Sequence, residues 1–487
     1  MRSRPFAALV WSFVLACVSE PNITSFTEAD ASTDAALPRD SANRDLGPSA
    51  DRLALQPERA DSPGDRSAPD APADLAADAL ADLADLAADL ADTAAGPDRP
   101  AREAREARNT GARFPFPQNR PSRYCTFPSA AHSDDVQAAY DLWKKATVTD
   151  KGAGGYMRVN RVRDDEPGQE WTVSEGIAYG MILAVYMDDQ ELFDNLWNYE
   201  QLWLNGNGLM DWKIDQNGTT RLGTGAATDA DEDMAWALVM ADKQWGGQGK
   251  LRDTYLNFAK KMIQAIWDKE IDHNRAEMVL AGDSWGGGDV TNISYYAPAY
   301  YRVFGQVSGK VADWNKVIDT LYAIIDKSLN ATSGNTTNGL VPAWCTFAGV
   351  PTAPFANAPL HHQYDSCRTP FRIGLDYCLF GEPRAKAYLD KLNSFHDKLG
   401  AKNIGDGYNL DGTPRPELVD KYGQAAAFIG PAGVGAMSNS AFAKLAEDSY
   451  ALVASLELIP GERYYNQSWT VLALLAMTGN FLDYTEP

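Results

Sequence analysis

The chain is expected to fold as an all-α protein, and three features of the sequence point there. Stretches with apolar residues at three- and four-residue intervals recur at roughly 174–188, 190–204, 230–245, 250–268, 296–306, 311–328, 370–380, 383–399, 440–456 and 466–478. Loops rich in Gly, Asn, Asp and Pro separate them, which is how helix ends are punctuated. Two stretches, 177–186 and 234–241, are apolar or small nearly all round. Helices of that kind are buried on more than one side, as the inner of two concentric helix layers would be.

The first 112 residues belong to a different regime. Arg2 and Arg4 precede an apolar run from Phe6 to Ala16 that is too short to span a bilayer and has the shape of an export signal. Residues 1–17 end in Val14-Leu15-Ala16-Cys17, similar to a bacterial lipobox in which the cysteine is lipidated; an ordinary signal peptide with a chance cysteine is the alternative. Residues 18–112 then form an Asp/Ala/Pro-rich linker. From 23 to 112 the only aromatic residue is Phe26, and 19 acids face 9 bases. Such a segment lacks the apolar surface to offset its chain entropy, so disorder is expected. Leucines at 75, 80, 83, 86 and 90 would share a helix stripe, but the stacked acids Asp74, Asp78, Asp82, Asp85, Asp89 and Asp92 repel, favouring an extended tether over a coiled coil. The net charge of −22 makes nucleic acid a poor partner.

The folded part is expected over 113–487. Its first helix reads as capped by Ser133, with Val136, Ala139, Tyr140 and Trp143 on one face. Two turn signals, Asn205-Gly206-Asn207-Gly208 and Asp215-Gln216-Asn217-Gly218, bracket Leu209 to Ile214 and predict a hairpin-like excursion. Export would place Cys125, Cys345, Cys367 and Cys378 in an oxidising compartment, and their three possible full pairings stay open. None has zinc-site spacing to a histidine pair, so no metal is expected. His361 and His362 read as ordinary loop histidines.

Four acids fall within Asp229-Ala230-Asp231-Glu232-Asp233, just before an apolar run to Trp245. Acids suit a helix first turn, where unpaired N–H groups favour negative charge, so a cap is one reading. A calcium loop is excluded, because its sharp-turn position holds Met234 and its twelfth holds Met240. Three blocks lift the segment above a cap. They are Val173-Ser174-Glu175-Gly176-Ile177-Ala178-Tyr179-Gly180-Met181, the run from Ala227 to Trp245, and Tyr364-Asp365-Ser366-Cys367-Arg368-Thr369-Pro370-Phe371-Arg372. Together with Gly282-Asp283-Ser284-Trp285-Gly286-Gly287 and Val290-Thr291-Asn292 on to Pro298 they resemble glycoside hydrolase family 8, nearest its endoglucanase branch, over roughly the last three-quarters of the chain.

The resemblance implies an (α/α)6 barrel and an inverting endo-β-1,4-glucanase. Xylanase, mixed-linkage β-glucanase and chitosanase are the alternatives within the class, and a surface glucan-binding lipoprotein is the alternative outside it. It implies Glu175 as general acid, Asp365 as general base and Asp229 as the carboxylate on the cleaved sugar. Trp212, Trp285, Tyr295, Tyr364, Arg368 and Tyr465 are implied as substrate contacts. Inverting hydrolysis requires one proton donor and one base for water, hence two carboxyls and no cofactor. Ser174 as N-cap would put Glu175 in a first turn, where the helix dipole favours the carboxylate; burial and a second acid must oppose that. Asp365 with Arg368 also reads as a surface ion pair, and Asp231 and Asp233 as residues serving the helix end. The expected partner is a β-linked polysaccharide, the expected state a monomer, and the expected location secreted or on the bacterial cell surface through Cys17.

Overall fold

The computed structural model describes residues 111–162, 170–284, 288–355, 358, 360–416, 425–456 and 463–486. The expected export signal, Cys17, the acidic linker and Trp285 lie outside the described residues.

Twelve α-helices in this part alternate between two layers. The inner layer is α2 (Ser174–Tyr186), α4 (Thr228–Gln244), α6 (Pro298–Ser308), α8 (Thr369–Phe380), α10 (Ala426–Ala436) and α12 (Arg463–Met477). The outer layer is α1 (Ser133–Thr147), α3 (Gln190–Glu200), α5 (Tyr255–Lys269), α7 (Val311–Ser328), α9 (Pro383–Leu399) and α11 (Ala443–Ala454). Each of α2 to α10 in the inner layer packs on the outer helix that follows it, and α12 packs on α1. Inner helices also pack on one another in chain order, and α12 returns to α2, closing the ring. The fold is an (α/α)6 barrel.

Burial separates the layers as the residue pattern requires. In α2 every residue but Glu175 is buried, and in α10 all are. In outer α5 the buried positions are Tyr255, Phe258, Ala259, Met262, Ile263 and Ile266, a single stripe. Inner helices turn into outer ones through short links such as Gly309-Lys310 and Gly381-Glu382, whose glycines take the left-handed conformation that ends a helix. Outer helices return to inner ones through the long segments 148–173, 201–227, 270–297, 329–368 and 400–425, and α11 leads to α12 through 455–462. All six inner N-termini therefore emerge at the long-loop end of the barrel.

Helix α10 was not legible as a helix, because Ala426–Ala436 holds three glycines and Pro431 and reads as a loop. Packing explains the glycines. A Cβ at Gly430 would lie 2.7 Å from the Ala473 Cβ of α12, and one at Gly433 would lie 2.7 Å from the Ser449 Cβ of α11. Close approach of three helices outweighs the roughly 1 kcal/mol of helix propensity that each glycine forfeits.

Smaller corrections concern ends. His132, not Ser133, is the N-cap of α1, its ring accepting from the Asp134 N–H. The expected helix at 190–204 stops at Glu200, where the chain turns into the predicted excursion. That excursion is real: Lys213–Ile214 (β2) pairs antiparallel with Arg221–Gly223 (β3) and with Thr172–Val173 (β1), the strand leading directly into α2. Cys125 and Cys378 form a disulfide tying the N-terminal segment to the end of α8, while Cys345 and Cys367 are buried free thiols. No helix of the described residues is long and apolar enough to cross a membrane.

Candidate active site

The long-loop end gathers the acids that the sequence singled out. Glu175 is the second residue of α2 and Asp229 the second of α4. Asp365 and Arg368 occupy the turn just before α8, and Ser294 and Tyr295 the turn before α6. Tyr464 opens α12, and Asp406, held to the Ala425 N–H, precedes α10. Six positive helix ends thus face one cluster of carboxyls. Ser174 is the first residue of α2 rather than its cap; Val173, whose side chain has no acceptor, holds that place, and the Ser174 N–H is used on the Trp212 carbonyl at 2.9 Å. Glu175 stands in the first turn nonetheless.

Arg368 is the hub. Its Nη1 donates to Glu175 Oε2 at 2.8 Å and to Asp229 Oδ2 at 2.5 Å, its Nη2 to Asp365 Oδ1 at 3.0 Å, and its Nε to Ser294 Oγ at 3.1 Å. The guanidinium is 1% exposed and lies over the Tyr295 ring at 5.0 Å, which rules out the reading of Asp365 and Arg368 as a surface pair. Because one planar fork spans Glu175 and Asp365, their nearest oxygens are within about 8 Å of each other, compatible with the roughly 6.5–9.5 Å that admits a water between acid and base.

The two carboxyls differ in environment. Burial pushes Glu175 up to about 7; Arg368 and the Tyr464 hydroxyl oppose this, while the Asp229 and Asp365 charges add to it. Burial and the apposed acids together outweigh Arg368 and Tyr464. Asp365 is pushed by burial to about 6, with Arg368 and the Asn292 and Trp344 side chains pulling it down. Glu175 retains 15% side-chain exposure against 6% for Asp365, so Glu175 is the more reachable of the two.

Asp365 also carries strain. Its backbone sits at φ 70°, ψ −68°, a γ-turn that costs a non-glycine residue about 1–3 kcal/mol. The Arg368 N–H to Asp365 carbonyl bond at 3.0 Å and the guanidinium on its side chain fix it there. The strained turn aims the carboxylate at the cluster instead of along the helix.

Trp212 is half-buried beside the start of α2. It lies across Gly223, where a Cβ would come within 2.3 Å of the indole. Tyr295, Tyr364 and Tyr465 form a buried floor: Tyr295 seats Arg368, the Tyr364 hydroxyl donates to Asp406 at 3.0 Å, and the Tyr465 hydroxyl lies 3.7 Å from Cys367 Sγ. Asp231 and Asp233 do more than serve a helix end. Asp233 accepts a bidentate pair from Arg372 at 2.6 and 3.0 Å, repeating one turn deeper the Asp229–Arg368 contact. Asp231 is buried against Glu270, each raising or lowering the other's proton affinity as a pair of acids does. Sequence reasoning missed Tyr464, Ser294, Asn292 and Trp344. Asn292 falls within a block already matched, and Tyr464 adjoins a residue that was chosen, so proximity was the available signal.

The comparisons with known proteins follow this geometry. The profile for "Glycosyl hydrolases family 8" matches residues 117–479. Endoglucanase A of Acetivibrio thermocellus is 39% identical over 349 residues, covering 71% of this chain and 69% of that protein. Endoglucanase 2 of Ruminiclostridium josui is 37% identical over 376 residues, with coverage of 76% and 77%. Among solved structures, a β-1,3-1,4-glucanase from Paenibacillus sp. X4 superposes with TM-score 0.66 at 28% identity, covering 75% of this chain and 98% of its own. A cold-adapted family 8 xylanase, at TM-score 0.63 and 22% identity, covers 75% and 98% and shares the fold. On a profile spanning most of the barrel and relatives of this similarity, the chain belongs to glycoside hydrolase family 8.

Proposed function

We propose that the protein is an inverting endo-β-1,4-glucanase. Glu175, neutral near pH 7, protonates the leaving glycosidic oxygen. Asp365, ionised beside Arg368, takes a proton from water, which attacks the anomeric carbon from the opposite face in the same displacement. Asp229, fixed by Arg368, meets the sugar at the cleavage point, where its charge and hydrogen bond support distortion toward the oxocarbenium-like transition state. The single observation that carries this reading is one buried guanidinium holding two carboxyls whose proton affinities are both lifted toward neutrality. Trp212 supplies an aromatic face for a neighbouring sugar ring. No cofactor enters any step.

The endoglucanase names of the similar proteins support β-1,4-glucan as the substrate. The β-1,3-1,4-glucanase neighbour makes mixed-linkage glucan the second reading. Reducing-sugar release by purified residues 113–487 on carboxymethylcellulose, barley glucan, xylan and chitosan side by side tests both. Fastest release from carboxymethylcellulose supports the proposal, and preference for xylan or chitosan overturns it. We further propose a folded domain over 113–487 carried on the acidic linker and anchored through lipidated Cys17. Replacing Cys17 by Ser should then shift the protein from the membrane fraction to the soluble one.

A further inference from the structure

Glu175 has two oxygens, and two different donors hold them. Arg368 Nη1 donates to Oε2 at 2.8 Å, and the Tyr464 hydroxyl donates to Oε1 at 2.6 Å. For Glu175 to act as an acid, one oxygen must carry a proton, and the donors are not equivalent in this respect. A guanidinium N–H cannot become an acceptor or lose its charge, so a proton on Oε2 finds no acceptor in Arg368. A phenol can turn its O–H aside and accept instead. We propose that Tyr464 is the positioning residue that keeps the transferable proton of Glu175 on Oε1. This rests on the reading of Glu175 as the general acid.

The fold is built to allow the contact. Tyr464 is buried at the opening of α12, its N–H on the Val162 carbonyl at 3.3 Å and its carbonyl accepting from Ser468 Oγ at 2.7 Å. Its ring lies against the first turn of α2 directly over Gly176, where a Cβ would be 3.0 Å from Tyr464 Cε2. The glycine following the acid thus makes room for the tyrosine that touches it. In the resting acid, the Oε1–H bond points to the phenol oxygen. On catalysis that bond breaks as the leaving glycosidic oxygen takes the proton, and the phenol O–H turns back to the carboxylate left on Glu175. Water activated at Asp365 gives up a proton there, and exchange with solvent restores both groups.

Other charged and titratable groups also face Glu175. They are Arg368 and Asp365 from the turn before α8, Asp229 from α4, Tyr179 from its own helix and Tyr295 from the turn before α6, while the Arg161 charge acts on Tyr464. None of these donates to Oε1. The Tyr464 hydroxyl accepts from the neutral acid and donates to the ionised one; the charge-assisted bond is the stronger, so loss of the hydroxyl raises the proton affinity of Glu175.

The test is the pH profile of kcat/KM on soluble β-glucan for the wild type, Tyr464→Phe, Gly176→Ala and Glu175→Gln. Removing one charge-assisted hydrogen bond should move the alkaline limb of Tyr464→Phe up by about one pH unit while the acid limb stays in place. Gly176→Ala keeps the hydroxyl but pushes the ring away, and should move the same limb in the same direction by less. It also covers the case in which Tyr464→Phe fails to fold. An alkaline limb that disappears in Glu175→Gln but is unmoved in both Tyr464→Phe and Gly176→Ala overturns the role of Tyr464 alone. A limb that survives in Glu175→Gln overturns the acid assignment and this role with it.

Discussion

Raising or lowering pH should switch the enzyme off on either side of a narrow optimum, and the structure sets the width. In the proposed mechanism the productive form has Asp365 ionised and Glu175 protonated, with burial placing these groups at about 6 and about 7. With limbs at those values the productive fraction peaks at about 0.6 near pH 6.5 and falls to about 0.03 two units away, a loss of roughly twentyfold in kcat/KM each way. The limbs belong to the pair, since the Asp365 charge raises the proton affinity of Glu175 and both carboxyls share Arg368. The assay is initial-rate hydrolysis of soluble glucan from pH 4 to 9 at constant ionic strength. Glu175→Gln should lose the alkaline limb and Asp365→Asn the acid limb, each with turnover lower by two or more orders of magnitude. A small activated leaving group should partly restore Glu175→Gln and not Asp365→Asn, because such a group departs without a proton. A profile flat from pH 5 to 9, or full activity in Asp365→Asn, would refute the reasoning.

Three further outcomes follow from the barrel. Burial pushes Glu200 and Glu270 up to about 8, far above an exposed carboxyl. The unfolded chain therefore loses these protons first: their contribution to stability is complete below about pH 4.5 and disappears as pH rises through 8, a loss on the order of a few kcal/mol. Melting temperature should fall between pH 5 and 9, and Glu200→Gln should flatten that fall; an unchanged slope counts against a buried neutral Glu200. Gly430→Ala should destabilise by about 1–3 kcal/mol in a denaturant titration despite its better helix propensity, because its Cβ meets Ala473 at 2.7 Å. Replacing Cys125 and Cys378 by Ser opens a loop with a sequence separation of 253 and should lower stability by up to about 5 kcal/mol, read as a lower melting temperature without loss of activity at 25 °C.

What the sequence made legible was local. Periodicity located α7 and α9 to the residue, since one apolar stripe on a polar helix is unambiguous. It failed at α10, where glycines required by helix–helix contact look like loop residues when read one chain position at a time. Glu175, Asp229 and Asp365 were found because each lies in a distinctive block. Arg368 was named for substrate, but its bonds to three acids join α2, α4 and the turn before α8, residues up to 193 positions apart. Spacing along the chain carries no trace of such a contact. The same holds for Tyr464, 289 positions from Glu175, and for the pairing of Cys125 with Cys378. Asp233 illustrates the converse: its position one turn after Asp229 was visible, but only the parallel step from Arg368 to Arg372 turns two acids into two rungs across the barrel.

The configuration of the first-formed sugar tests the central claim most directly. Proton NMR of the reaction mixture, recorded before mutarotation, should show the new reducing end of a β-1,4-glucan oligosaccharide appearing as the α anomer and drifting to the equilibrium mixture. That is the result of a water activated by Asp365 on the face opposite the bond protonated by Glu175. An initial β product would mean retention through a covalent intermediate, contradicting the single displacement and the role assigned to Asp365.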